Sequence, residues 1–268
     1  MYIDFHSHAF ADKIAGKAIE VLKSHLALYG YPDDCYSDGT IADTEKFYKN
    51  SIIDKAVLMP IATKPSQHEI INNWAAAQNN SEVFYCFGSV HPKGFDALKE
   101  LERIKALGLY GIKLHPDYQE FFVDDESVFP VYKKCAELGL PVMFHAGLDA
   151  ICPDTIHCTP QRAVTVLDAV PGLTAIFAHM GGNTLWRDVY GILAGRDCYL
   201  DTSYSITWED ENLMRGIIEK HGADKMLFGS DFPWDDPEKT VRDLRKLGLT
   251  ESEYDNIFYK NAVRLLNI

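Results

Sequence analysis

Short runs of β-branched, aromatic and aliphatic residues recur along the chain, separated by longer stretches whose apolar residues fall three and four apart. Such runs occupy residues 2–8, 56–61, 83–90, 110–115, 141–147, 174–180, 198–203 and 226–232. Several are nearly continuous, as in Ala56-Val57-Leu58-Met59 and Pro141-Val142-Met143-Phe144. That pattern suits strands of a parallel sheet covered on both faces. The intervening stretches carry helix signals. Thr159-Pro160 ahead of residues 163–170 reads as an N-cap followed by proline at the first helical position. Thr250 and Glu253 have capping-box spacing before the last helix, and residues 97–107 and 131–138 run into Gly108 and Gly139, usual helix stops. Strand and helix alternate throughout, which predicts an α/β fold, a (β/α)8 TIM barrel forming a single domain over residues 1–268, with a long insertion after the first strand at 9–55. A second long connection at 148–158 follows the fifth strand, where barrel loops cover active sites. A doubly wound open sheet is the alternative, but the strand-to-helix turns lack a G-x-G-x-x-G or Walker-type phosphate loop.

Composition adds exclusions. A chain of 268 residues fits one barrel, and 26 Lys and Arg against 39 Asp and Glu give a net charge of −13. That field repels phosphate backbones and anionic membrane surfaces, so neither nucleic acid nor a membrane is an expected partner. The start has no basic segment leading into an apolar run, and no stretch reaches membrane-spanning length, so the expected location is cytoplasmic. The six cysteines are scattered without C-x-x-C spacing and read as reduced thiols.

The chemistry collects at the ends of the predicted strands. His6 and His8 are two apart and share a face, an arrangement suited to two ligands on one metal. The fifth, sixth and eighth runs end with His145, His179 and Asp231. A barrel gathers all its strand ends on one rim, and burying imidazoles with a carboxylate there is costly unless they pair or hold a cation. Neutral imidazole plus carboxylate fits zinc and also admits iron, manganese or cobalt. Lys113 and His115 share parity on the fourth run, so they face the same side.

Asp4-x-His6-x-His8, Gly111-Ile-Lys-Leu-His-Pro116, Phe144-His-Ala-Gly147, Ala178-His-Met-Gly-Gly182, Gly229-Ser-Asp-Phe-Pro233 and Asn261-Ala-x-Arg-Leu-Leu266 occur in order along the chain. Together they resemble the amidohydrolase superfamily, and more closely its amidohydrolase-2 branch, which includes aminocarboxymuconate-semialdehyde decarboxylase-like proteins. The resemblance implies a metal-dependent TIM barrel in which His6, His8, His145 and Asp231 hold one divalent ion, zinc by expectation. His179 and Asp231 would be the acid–base residues. It also allows a second ion, with Lys113 carboxylated and His115 and His179 nearby, or Lys113 holding an anionic substrate. Arg187, Trp186 and Trp234 are the candidate substrate contacts, and a homodimer is an expected assembly.

The leading expectation is a metal-dependent hydrolase in which a metal-activated water attacks an amide, ester or lactone carbonyl of a small carboxylated substrate. The alternative is a non-oxidative decarboxylase of an unsaturated or aromatic carboxylate that uses the same site. A third reading, a barrel that binds metal or small ligands without turnover, is disfavoured because every position of the metal-and-base set is present.

Overall fold

The apolar runs become strands because both of their faces are covered. The computed structural model describes residues 1–28, 34–150, 152–206 and 208–268. Within them lie β1 (Ile3–Ser7), β2 (Lys55–Leu58), β3 (Phe84–Cys86), β4 (Ile112–Leu114), β5 (Val142–Phe144), β6 (Ala175–Phe177), β7 (Tyr199–Asp201) and β8 (Met226–Leu227). The strands pair in parallel in chain order, β1 to β3 and β4 to β8. Parallel bridges between Gly88 and Ile112 and between Ser7 and Phe232 join the two sets, and the His8 amide donates to the Phe232 carbonyl at 2.7 Å. The sheet thereby closes into the expected (β/α)8 barrel. Each strand is shorter than its apolar run, because the last residues of a run leave the ladder to form the rim.

Helices α1 (Asp12–Leu28) and α2 (Ile41–Lys49) fill the β1–β2 connection, whose residues 29–33 lie outside the described residues. The outer ring continues with α3 (His68–Gln78), α4 (Ala97–Ala106), α5 (Phe129–Leu138), α6 (Pro160–Ala169), α7 (Trp186–Asp188), α8 (Glu211–His221), α9 (Pro237–Lys246), α10 (Glu251–Asp255) and α11 (Asn261–Leu266). The capping signals act as their chemistry requires. Thr159 accepts from the Arg162 amide, and Thr250 and Glu253 satisfy each other's amides in a capping box. Gly139 stops α5 in the left-handed conformation, at φ +62°. The 148–158 connection stays a loop without a helix, and its Ile151 lies outside the described residues. No helix among the described residues is long and apolar enough to cross a membrane.

Alternation along the strands divides the core in two. Ile3, Phe5, Val57, Met143, Ile176 and Leu227 pack inside the barrel, with Ala262 and Leu266 of α11 in the same cluster. The opposite parity, such as Ile112, Leu114, Val142 and Phe144, packs in the layer shared with the helices. In β1 this rule is broken. Ile3 and Phe5 are interior, whereas Asp4, of the same parity as His6, is bonded by the Tyr48 hydroxyl of α2 at 2.8 Å and the Ser230 hydroxyl at 2.5 Å. Between the pairs Asp4–Ala56 and Ser7–Leu58, β1 spends one residue more than β2. Such a bulge re-aims the residues that follow it, and His6 and His8 line the cavity.

Candidate active site

Each rim residue is held by partners that also fix which nitrogen or oxygen faces inward. His6 Nδ1 lies 2.7 Å from Asp201 Oδ2. Burial opposes ionisation of Asp201, but His6, His179 and Ser203 outweigh it and bring its pKa down to about 2. Asp201 is therefore an anion that takes the Nδ1 proton of His6, and the Nε2 lone pair of His6 points inward. Burial, aided by the Lys113 charge, lowers the His6 pKa to about 4, so the ring is neutral. His8 Nδ1 lies 3.0 Å from the Met59 carbonyl, which can only accept, so Nδ1 carries a proton and Nε2 faces inward.

Both Nε2 atoms meet Asp231. Its Oδ1 is 3.3 Å from His6 Nε2 and 3.2 Å from His8 Nε2. Burial works against ionisation here too, but positive charge or a donated proton on the neighbouring His6, His8 and His179 rings holds the Asp231 carboxyl well below the usual carboxylate range. Three such atoms facing one another at these distances need positive charge among them. Lys113 Nζ supplies part of that charge, 3.1 Å from His6 Nε2. Burial brings the Lys113 pKa down to about 8, which leaves it mostly protonated near neutrality, against the pull of Asp201, Asp231 and Asp149. The donor set of neutral imidazoles and a carboxylate fits a divalent ion.

The facing wall is built by β5 and β6. His179 Nδ1 is 3.0 Å from the Ser203 hydroxyl and 3.1 Å from the Ser203 carbonyl. The Ser203 hydroxyl spends its own proton on Asp201 Oδ1 at 2.5 Å, so His179 Nδ1 donates and Nε2 is left as the exchanging nitrogen. That Nε2 lies 3.0 Å from His145 Nδ1. His145 Nε2 has no hydrogen-bond partner and faces Asp149 Oδ2 at 3.7 Å and Asp117 Oδ2 at 3.9 Å. With the His179 proton on Nδ1, His145 Nδ1 is the donor between the two rings. His179 and Asp231 adopt left-handed backbone, φ +58° and +71°. Non-glycine residues there cost roughly 1–2 kcal/mol each, a strain typical of sites where position matters more than comfort.

Gly147 ties the wall together. Its φ is +86°, and an added Cβ would collide with the Asn183 backbone, whose amide donates to Ala146 at 2.9 Å. Gly147→Ala is expected to destabilise the protein by roughly 2–4 kcal/mol, from left-handed strain plus the clash, read as a lower urea midpoint with an unchanged slope.

The sequence-derived residues are not all gathered as expected. His6, His8 and Asp231 form one ligand-capable group, whereas His145 groups with His115 and Asp149 and reaches the first set across His179. A second ion on Lys113, His115 and His179 finds no such grouping: Lys113 is on His6, and His115 is stacked on His145 at 4.1 Å and 15°. Trp234 lines the cavity, but Trp186 and Arg187 are absent from its described lining. After His179 the chain turns back through left-handed Met180 and Gly181. This seats Trp186 in the core, its indole N–H donating to the His179 carbonyl at 3.0 Å, and leaves Arg187 exposed. His25, assigned no role from sequence, lines the cavity because α1 folds over the barrel mouth. Asp149 and Asp117, the carboxylates behind His145 and His115, went unnoticed because the turns that follow β4 and β5 carry no periodicity that marks them.

The sequence matches the amidohydrolase family over residues 3–268. It is 24% identical over 208 residues to a 2-amino-3-carboxymuconate-6-semialdehyde decarboxylase of Dictyostelium discoideum, an alignment covering 64% of this chain and 57% of that protein's length. Among solved structures, a 2,6-dihydroxybenzoate decarboxylase in complex with 2,6-dihydroxybenzoate superposes with a TM-score of 0.74 at 16% identity, covering 100% of this chain and 99% of the other. A dihydroxybenzoic acid decarboxylase from Polaromonas, solved with manganese and the inhibitor 2-nitroresorcinol, gives 0.71 at 17% identity, with coverages of 99% and 96%. At such identities the structural likeness bears on the fold.

Proposed function

The chain belongs to the amidohydrolase family, and on that footing we propose that it is a metal-dependent decarboxylase acting on a small unsaturated or aromatic carboxylate. The observation that carries this reading is the convergence of the His6 and His8 Nε2 atoms on Asp231, beside the buried Lys113 ammonium. Hydrolysis, the leading expectation from sequence, yields to its alternative because the Dictyostelium relative and the two structural neighbours named above are decarboxylases.

His6, His8 and Asp231 would hold the ion, with His145 as the fourth ligand residue. A divalent ion held there supplies a Lewis acid, zinc and manganese being the metals this donor set suits. Lys113 neutralises and orients the substrate carboxylate. His179 Nε2, with its ring fixed by Ser203 and Asp201, delivers a proton to the carbon that bears the carboxylate. That proton is bound through a π pair of the unsaturated substrate, and when the carbon–carbon bond breaks its electron pair restores the π bond as carbon dioxide leaves. Asp231 assists proton return to His179 between turnovers.

The test is metal-loaded protein against a panel of aromatic and unsaturated carboxylates in D2O. The expected result is metal-dependent release of carbon dioxide with deuterium at the vacated carbon. Opening of amides or lactones without carbon dioxide would establish hydrolysis and overturn the proposal. The site also predicts a stability effect. Adding metal at about 100 times its Kd to chelator-stripped protein is expected to stabilise it by about 2.7 kcal/mol, raising Tm by roughly 5–10 °C in differential scanning calorimetry.

A further inference from the structure

The cavity above the site, about 300 Å3, changes character along its length. At its inner end stand His6, His8, Lys113, His145, His179 and Asp231. Its outer wall is apolar. Ile14, Leu22 and Leu26 of α1 line it on one side, and Ile70, Ile71 and Trp74 of α3 on the other. Among the described lining residues Lys113 is the only lysine or arginine, and it is committed to the inner end, on His6.

Helix α1 has the burial of an element whose partner is missing. Of its 17 residues only Ala15 is buried. Ile14 is 56% exposed and Ile70 across the opening is 72% exposed, although both line the cavity. Apolar side chains in water at the mouth of a cleft, continuous with a charged floor, match a ligand with the same polarity gradient.

We infer that the substrate of this site is amphipathic: one anionic head at the metal end, and an extended apolar remainder lying between α1 and α3. The inference rests on the decarboxylase reading for the head and on the cavity wall for the remainder. A second carboxylate between the apolar side chains of α1 and α3 would lose its hydration without meeting a lysine or arginine of the described lining, His25 being the one imidazole on that wall, so dicarboxylates are selected against. Ile71 and Leu22 are the specificity-determining residues, since they face the remainder from opposite sides.

The experiment is isothermal titration of the manganese-loaded protein with benzoates carrying 4-alkyl chains from methyl to butyl, and with benzene-1,4-dicarboxylate. Kd is expected to tighten by about two- to fourfold per added methylene. The dicarboxylate is expected to bind about tenfold more weakly than 4-methylbenzoate, or worse. Leu22→Asp and Ile71→Asp should flatten the alkyl series while leaving the Kd of benzoate itself nearly unchanged. Leu28→Asp, exposed on α1 and outside the described cavity lining, should leave the series as it is. A flat series in the unsubstituted protein, tighter binding of the dicarboxylate, or no binding of any benzoate would overturn the inference. Carbon dioxide release measured on the same compounds separates the two readings. An alkyl slope without carbon dioxide supports the amphipathic ligand and removes the reaction; carbon dioxide from short benzoates with a flat slope does the reverse.

Discussion

Asp231→Asn is expected to strip the protein of stoichiometric metal and to lower carbon dioxide release by at least about a thousandfold, since the ion supplies several kcal/mol of charge stabilisation. The substitution keeps the size of the side chain, and the residue's left-handed backbone is one that asparagine tolerates. What it removes is the negative charge on which the His6 and His8 Nε2 atoms converge at 3.3 and 3.2 Å. Elemental analysis after gel filtration reads the metal, and circular dichroism verifies the fold. A variant that retains both metal and rate would show that Asp231 is no ligand and would dismantle the site as drawn.

His179→Asn should do something different: metal stays bound, while the rate falls by roughly two to four orders of magnitude. Its Nδ1 side is structural, anchored on Ser203, and only Nε2 is available for proton exchange. Asparagine can keep a hydrogen bond to Ser203 but offers no group that titrates. Metal content and turnover measured on the same sample decide the matter. If metal and activity disappear together, His179 is a ligand, and the acid–base role moves elsewhere.

Much of this was legible in the chain itself. Continuous apolar runs alternating with capped helices leave few options besides a parallel barrel, and seven of the eight strands fall within the runs, β2 starting one residue early at Lys55. The rim residues were legible for the same reason: a polar side chain directly after a buried strand must have a partner. Thr159 and Thr250 show how local the helix boundaries are, since both caps are satisfied within three residues.

Other features depend on contacts between segments far apart in sequence. Asp201 is brought by β7 between His6 and His179, where its two oxygens set the tautomer of one and hold the backbone of the other. Trp186 looked like a pocket wall, yet the turn after His179 makes it a prop beneath His179. The 9–55 connection showed as an insertion, but its helical content gave no indication that α1 would spread an apolar wall over the mouth of the cavity.

The sequence by itself determined the barrel, the rim and the kinds of ligand on it, because strand alternation and capping act over a few residues and leave a periodic trace. Tertiary structure alone decided which atoms meet. The extra residue in β1 turns His6 and His8 inward, and barrel closure sets His145 across from them. Those outcomes depend on register between strands and on ring orientation, fixed by partners up to 195 positions away in the chain, as with His6 and Asp201.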